Sequence, residues 1–283
     1  MASAVERITG ESVAQWRGVG GSRGAEHYRC RLAGGRELFV KAVSSADGAA
    51  ELAAEAKGLR WLGEAGAVPV PDVILCEDGL LGVALIPGGS AGRDAAERFG
   101  RDFAALHAAG ADRFGAPWRG YIAGLPLPNE QADAWPEWYA ERRLLPYSRI
   151  ARDTGTLSAA DVALIESVAD RIADLAGPAE PPARIHGDCW SGNVLWSGGR
   201  GWLIDPAAHG GHRETDLAML ALFGAPHFDA VLAAYQDVAP LAAGWRGRVP
   251  LHQLHPLLVH VCLFGASYRQ PALAAARAAL AAP

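Results

Sequence analysis

Two short polar loops constrain this chain more than anything else in its 283 residues. The first reads Ile185-His-Gly-Asp-Cys-Trp-Ser-Gly-Asn-Val194, and the second reads Trp202-Leu-Ile-Asp-Pro206. One carboxylate in such a loop, Asp188, can accept or orient the proton of an attacking hydroxyl. A neutral amide a few residues on, Asn193, can reach a metal ion without adding charge. An acid at the end of an apolar strand, Asp205, can ligate the same hard cation through oxygen. Either loop alone also reads as an ordinary turn whose polar side chains cap backbone, and the two occurring in order argue against that plainer reading.

The spacing of Asp188 and Asn193 is that of the protein-kinase catalytic loop, H-R-D-x-x-x-x-N, with Gly187 in the Arg position; Asp205 stands where D-F-G would follow. Upstream, Leu38-Phe-Val-Lys-Ala-Val43 resembles the kinase strand V-A-I-K and precedes a helical stretch carrying Glu55. A lysine on an inward strand face needs a partner, because burying an unpaired ammonium is costly. Glu55 together with ATP phosphates would supply it, Glu51 one turn earlier is the rival partner, and a surface lysine on an edge strand is the plainer alternative. Gly18-Val-Gly-Gly-Ser-Arg-Gly24 is read as a glycine-rich turn in which Gly20, Gly21 and Ser22 could lay backbone N–H groups near phosphates. It is not a Walker loop, since no Gly-Lys pair follows, and G-x-G-x-x-G fails at Arg23; a plain hairpin turn is the other reading.

The rest of the chain arranges itself around these motifs. Ser12 to Val43 reads as β structure, Ala49–Leu62 as a helix, and Val73–Leu75 and Leu80–Ile86 as two more strands. Pro87-Gly-Gly-Ser-Ala-Gly92 is a candidate linker. Helices are expected over Ala95–Ala108, Asp161–Leu175, Asp216–Phe223 and Leu251–Phe264, with an amphipathic Ala-rich helix at the end. The expected architecture is α+β and two-lobed like a protein kinase: a small β-rich N-lobe over 1–87 and a larger helical C-lobe over 88–283. Hydrophobic residues make up 50%, enough for a sizeable core in each lobe.

Several function classes are disfavoured. A formal net charge of -5 argues against nucleic-acid and anionic-membrane partners, which select basic surfaces. The N-terminus lacks the basic start and apolar run of a signal peptide, no stretch approaches the roughly 20 unbroken apolar residues of a membrane span, and the four cysteines are scattered without metal-ligand spacing. A cytoplasmic chain with reduced thiols is expected. His209, His212, His252, His255 and His260 invite a zinc reading, but no H-E-x-x-H is present and core or helix-surface histidines fit better. The tryptophans are expected to pack, except Trp190, whose place in the catalytic loop sets an aromatic face beside the phosphoryl acceptor.

His186-Gly-Asp-x-Trp-Ser-Gly-Asn193, Ile204-Asp-Pro-Ala207 and Gly211-His-Arg-Glu-Thr-Asp-Leu-Ala-Met219, followed by Leu222-Phe-Gly224, resemble the fructosamine kinase (ketosamine-3-kinase) family, one of the aminoglycoside-phosphotransferase-like kinases. The likeness runs from Phe39-Val-Lys41 and Glu55 through Leu127-Pro-Asn129 to His260 and Phe264-Gly265. It implies ATP- and Mg²⁺-dependent phosphorylation of the sugar 3-hydroxyl of a ketosamine, on a free amine or a glycated lysine of a protein, and hence deglycation. By matching positions it implies that Asp188 is the base, Asn193 and Asp205 the metal ligands, and Lys41 the phosphate contact held by Glu55. Asp216 would brace the catalytic loop through backbone N–H groups, with a helix-cap role as the alternative. Departures from the family are Cys189, where a Leu is usual, Cys262 for Asn, and a hinge, Leu85-Ile86-Pro87, lacking the usual acid; its backbone remains able to pair with adenine. A kinase of aminoglycosides or amino-alcohols, and a non-catalytic nucleotide-binding regulator, are the competing readings.

Overall fold

The computed structural model describes residues 1–22 and 24–282; Arg23 of the glycine-rich stretch and Pro283 lie outside them. An unforeseen helix, α1 (Ala2–Thr9), opens the chain and stops at Gly10, whose φ of 71° is the left-handed geometry that ends helices. Strands β1 (Val13–Ser22), β2 (Ala25–Leu32) and β3 (Glu37–Ala42) follow, then helix α2 (Ala46–Glu64), β4 (Val73–Glu77) and β5 (Leu80–Ala84). The strands form one antiparallel sheet in the order β1-β2-β3-β5-β4. Alternation along each strand divides the residues between two faces. Cys30, Leu38, Val40 and Leu75 pack with Val5 of α1 on one face. Leu81 and Val83 of the other face pack with Leu52 and Ala56 of α2, and Lys41 points the same way.

Ser45 caps α2, its side chain accepting from the amide of Gly48. The buried stripe Leu52, Ala56, Leu59 and Leu62 anchors the helix and turns Glu55 toward Lys41. The glycine-rich stretch differs from expectation. Gly18 to Ser22 continue the β1 ladder opposite Tyr28 to Ala25, so the turn is confined to the hairpin tip. Glycines without side chains can still pair their backbones in a ladder, and here the antiparallel partner decides the outcome.

After β5 the chain runs without regular structure to α3 (Arg93–Ala108). Then come a small hairpin, β6 (Gly120–Ile122) and β7 (Leu125–Leu127), and α4 (Trp135–Tyr139), which passes through a π-turn at Ala140–Leu144 into α5 (Leu145–Asp153). The single helix expected over Asp161–Leu175 is two, α6 (Ala159–Asp170) and α7 (Ile172–Leu175), with Arg171 breaking the register at φ −101°, ψ 10°. Strands β8 (Ala183–Ile185), β9 (Val194–Ser197), β10 (Arg200–Leu203) and β11 (His209–Gly211) pair as two short ribbons, β8 with β11 and β9 with β10. Helices α8 (Arg213–Phe223), α9 (Phe228–Val238), α10 (Trp245–Phe264) and α11 (Arg269–Ala281) complete the fold. Pro250 and Pro256 lie inside α10, which continues through both.

The protein is thus mixed α+β, a β-sheet N-terminal region followed by a mainly helical C-terminal region, in the kinase-like arrangement. Trp245–Ala281 is apolar and long enough by composition to cross a membrane, but half of its apolar window is buried inside the fold. The stretch is also interrupted by a 3₁₀ turn at Gly265–Tyr268 between α10 and α11.

Candidate active site

The loop bearing Asp188 leaves β8 through Gly187, at φ 79°, where a Cβ would stand 2.3 Å from the carbonyl oxygen of Ala207. No side chain fits there, which accounts for glycine in the position of the kinase arginine. Beneath the loop lies Asp216, fully buried in the first turn of α8. Its Oδ2 accepts the amide of His186 at 2.7 Å and its Oδ1 that of Gly187 at 2.9 Å. His107 of α3 approaches Oδ2 at 3.3 Å and is itself held by Tyr235 at 2.9 Å. Burial alone would raise the Asp216 carboxyl; the donors from His107 and His186 hold it below the ordinary carboxylate range. The cap of α8 is His212, not Asp216.

His186 ties the two polar loops together. Its Nε2 donates to the carbonyl of Ile204 at 2.8 Å while its Nδ1 accepts the amide of Asp188 at 3.3 Å. Asn193 donates through Nδ2 to the Asp188 carbonyl at 2.8 Å and to Asp188 Oδ2 at 3.0 Å, so its Oδ1 is the atom that could meet a cation. Asp205 sits at φ 52°, a left-handed conformation that a short polar residue tolerates and that sites retain when a carboxylate must be aimed.

Across the cleft, Lys41 Nζ donates to both oxygens of Glu55 at 2.8 Å and lies 2.9 Å from Asp205 Oδ1. Glu51, the rival partner, instead accepts the amide of Gly124 at 2.9 Å. Burial would lower the Lys41 pKa, but the two carboxylates outweigh it and raise it, so the ammonium stays charged. Burial lifts the Glu55 carboxyl, with the ammonium opposing the rise. The oxygen set offered by Asn193 and Asp205 suits a hard divalent cation such as Mg²⁺. The contact of Asp205 with Lys41 also sets its carboxylate where a cation would compete with the ammonium.

Two cavities meet at this point. One of about 620 Å³ is lined by Val19, Phe39, Leu85, Ile86, Leu195 and Ile204 among others. The other, of about 150 Å³, is lined by Ser22, Asp188, Trp118 and Tyr121 among others. His27, Lys41, Glu55 and Asp205 line both. Of the expected hairpin contacts, Ser22 lines the smaller cavity; Gly20 and Gly21 line neither, their place being the exposed β1 ladder. Leu85 and Ile86 line the larger one, although the Leu85 amide is already given to the carbonyl of Glu37 at 3.0 Å. His27 escaped the sequence reading because it belongs to no motif. Its signal was register: it lies opposite Lys41 across the β2–β3 pair.

Trp190 is 40% exposed and meets Phe223 edge-on at 6.4 Å, and His260 packs at a tilt between Phe223 and Phe264, giving an aromatic wall beside the Asp188 loop. Cys189 is buried in the core behind that loop, and burial pushes its thiol well up, as befits a packing residue. The buried group His212, Glu214 and His252 has metal-ligand proximity, within 4.8 Å. Glu214, however, already receives two hydrogen bonds from Arg248, at 2.6 and 3.0 Å, so its cation is in place.

A family model for fructosamine kinases matches residues 2–282. A curated probable ketoamine kinase of Synechocystis is 32% identical over 283 residues, spanning 96% of this chain and 93% of that protein. A crystal structure assigned as a fructosamine-3-kinase of Thermobifida fusca superposes with a TM-score of 0.96 at 54% identity, covering 99% of this chain and 98% of the other. A macrolide 2'-phosphotransferase of Brachybacterium faecium, 17% identical, shares the fold at a TM-score of 0.65 over 96% of both chains.

Proposed function

The chain belongs to the fructosamine kinase family and is an ATP-dependent phosphotransferase acting on hydroxyl groups of ketosamines, and from that premise we propose that it phosphorylates the sugar 3-hydroxyl and thereby initiates deglycation. The observation that carries this reading is the convergence of these groups: Lys41, Glu55 and Asp205 line both cavities, Asp188 lines the smaller one, and Asn193 donates to the Asp188 carboxylate.

ATP would lie in the larger cavity with its phosphates toward Lys41. Mg²⁺ held by Asn193 and Asp205 would offset charge on the phosphates. Asp188 would orient the acceptor hydroxyl, and the hydrogen bond from Asn193 would fix the carboxylate's rotamer. Positioning and electrostatics suffice for phosphoryl transfer, which asks little covalent work of the protein. Asp216 and His186 would hold the loop still during that step. Trp190 and the aromatic wall would flank the acceptor. A glycated lysine side chain, free or on a protein, is the expected acceptor.

The test offers ribulose-lysine, fructose-lysine and kanamycin with Mg·ATP and follows products by ³¹P NMR. A sugar 3-phosphate that decays to free lysine supports the proposal. A phosphorylated kanamycin with unmodified ketosamines would overturn it while leaving the kinase chemistry intact.

A further inference from the structure

Four side chains line both cavities: His27, Lys41, Glu55 and Asp205. A phosphoryl group passing from a nucleotide in the larger cavity to a hydroxyl beside Asp188 in the smaller one crosses between these four. Three of them are committed to one another. Lys41 has three N–H donors. Both oxygens of Glu55 stand 2.8 Å from its nitrogen, and Oδ1 of Asp205 stands at 2.9 Å. With Asp205 turned to a cation, a single lysine donor is left for the phosphates.

His27 is the fourth, and its polar atoms are uncommitted: among the described residues neither ring nitrogen has a hydrogen-bond partner. Register places it. His27 stands opposite Lys41 across β2 and β3, and cross-strand partners carry their side chains on one face of a sheet, here the face of the cleft. The ring is half-buried and rests at a tilt against Phe39, with 5.3 Å between centroids. It is within electrostatic reach of both charged neighbours. Burial and the Lys41 ammonium push its pKa below the ordinary histidine value, and the Asp205 carboxylate pulls the other way. A neutral ring carries one N–H donor. The glycine-rich strand leaves a phosphate contact open at this place, because Gly20 and Gly21 line neither cavity and Gly20 pairs with His27 in the ladder.

Resting on the reading of the two cavities as nucleotide and acceptor sites, we propose that His27 is a further catalytic residue, whose ring N–H donates to the γ-phosphate at the boundary between the cavities. Lys41 then holds the phosphates from β3 and His27 from β2. A donor that meets the terminal phosphate alone is felt by a nucleoside triphosphate and not by the diphosphate.

The test compares wild type, His27→Phe and His27→Gln as full chains. Phe keeps a ring against Phe39 and removes the donor, whereas Gln keeps a donor and removes the ring. Affinities for Mg·ADP and for the magnesium complex of AMPPNP, a non-hydrolysable ATP analogue, are read by displacement of a fluorescent ADP analogue, together with kcat on ribulose-lysine. His27→Phe should weaken AMPPNP about tenfold or more, the scale of a hydrogen bond to a charged group, and lower kcat, with ADP unchanged within about twofold. His27→Gln should return AMPPNP affinity to within about threefold of wild type. Unchanged AMPPNP affinity in His27→Phe, equal losses of both nucleotides, or a His27→Gln no better than His27→Phe would overturn the inference and leave the functional reading standing. A wild type that binds neither nucleotide would remove the nucleotide site and the inference together.

Discussion

Asp216→Asn tests whether the catalytic loop is held from below. The wild-type carboxylate accepts two backbone amides, one on each oxygen, with His107 approaching Oδ2. An asparagine has one acceptor oxygen, so in either orientation its amide faces the N–H of His186 or of Gly187. One charge-assisted hydrogen bond is lost, worth about 1.5–3 kcal/mol, and a buried N–H is left unsatisfied at about 1–3 kcal/mol. The expected loss of stability is about 3–5 kcal/mol, or a melting point lower by roughly 10 °C in a chain of this size. Displacing Asp188 by as little as about 1 Å can cost on the order of 100-fold in turnover. Lys41, Glu55 and Asp205 have hydrogen-bond sets separate from that of Asp216, so ADP affinity measured without Mg²⁺ should stay within about twofold. Thermal unfolding, kcat and nucleotide affinity measured together distinguish this from general damage. A variant that melts within about 2 °C of wild type and keeps full kcat would refute the reasoning.

Asp205→Ala should weaken nucleotide binding in Mg²⁺ far more than in EDTA, because Lys41 keeps Glu55 as a partner; equal losses in both media would count against a metal-binding role. Glu214 bears on acid stability: burial would raise its carboxyl, but the His252 ring 3.4 Å away and the two hydrogen bonds from Arg248 bring it down to about 2 from 4.5. A depressed carboxyl stabilises the fold above its unfolded pKa, so about 3 kcal/mol should be lost as pH falls from 4.5 toward 2. Glu214→Gln should cost about 3–5 kcal/mol at pH 7, by leaving Arg248 buried without its carboxylate, and flatten that acid dependence; urea unfolding curves that stay parallel to wild type across this range would contradict the ion-pair reading.

The parts of the fold legible in the sequence are those whose signal is local. The strand around Lys41 and the helix around Glu55 announce themselves by period, and the pairing between them follows from a buried ammonium's need for a carboxylate. Where tertiary partners decide, the text is silent. Gly18–Ser22 read as a turn because glycine favours turns, yet β2 supplies a ladder that extends the strand through them. The break at Arg171 interrupts a continuous apolar period, and α1 is held by Val5 against a sheet face formed by distant residues. At the site, the two acids and Asn193 were visible as spacing, but His27 was not, since its place depends on the register of two strands. His107, which supports Asp216 from α3, likewise has no motif to mark it.

The central proposal is that Asp188, lining the smaller cavity beside Lys41 and Asp205, presents a ketosamine hydroxyl to the γ-phosphate of ATP. The most direct measurement is coupled ADP release on ribulose-lysine by wild type and Asp188→Asn, with Mg·ADP affinity recorded for both. The account predicts turnover by the wild type, a loss of at least about 100-fold in the variant, in the range usual for a lost general base, and nucleotide affinity that largely survives. Near-wild-type turnover in Asp188→Asn would contradict it.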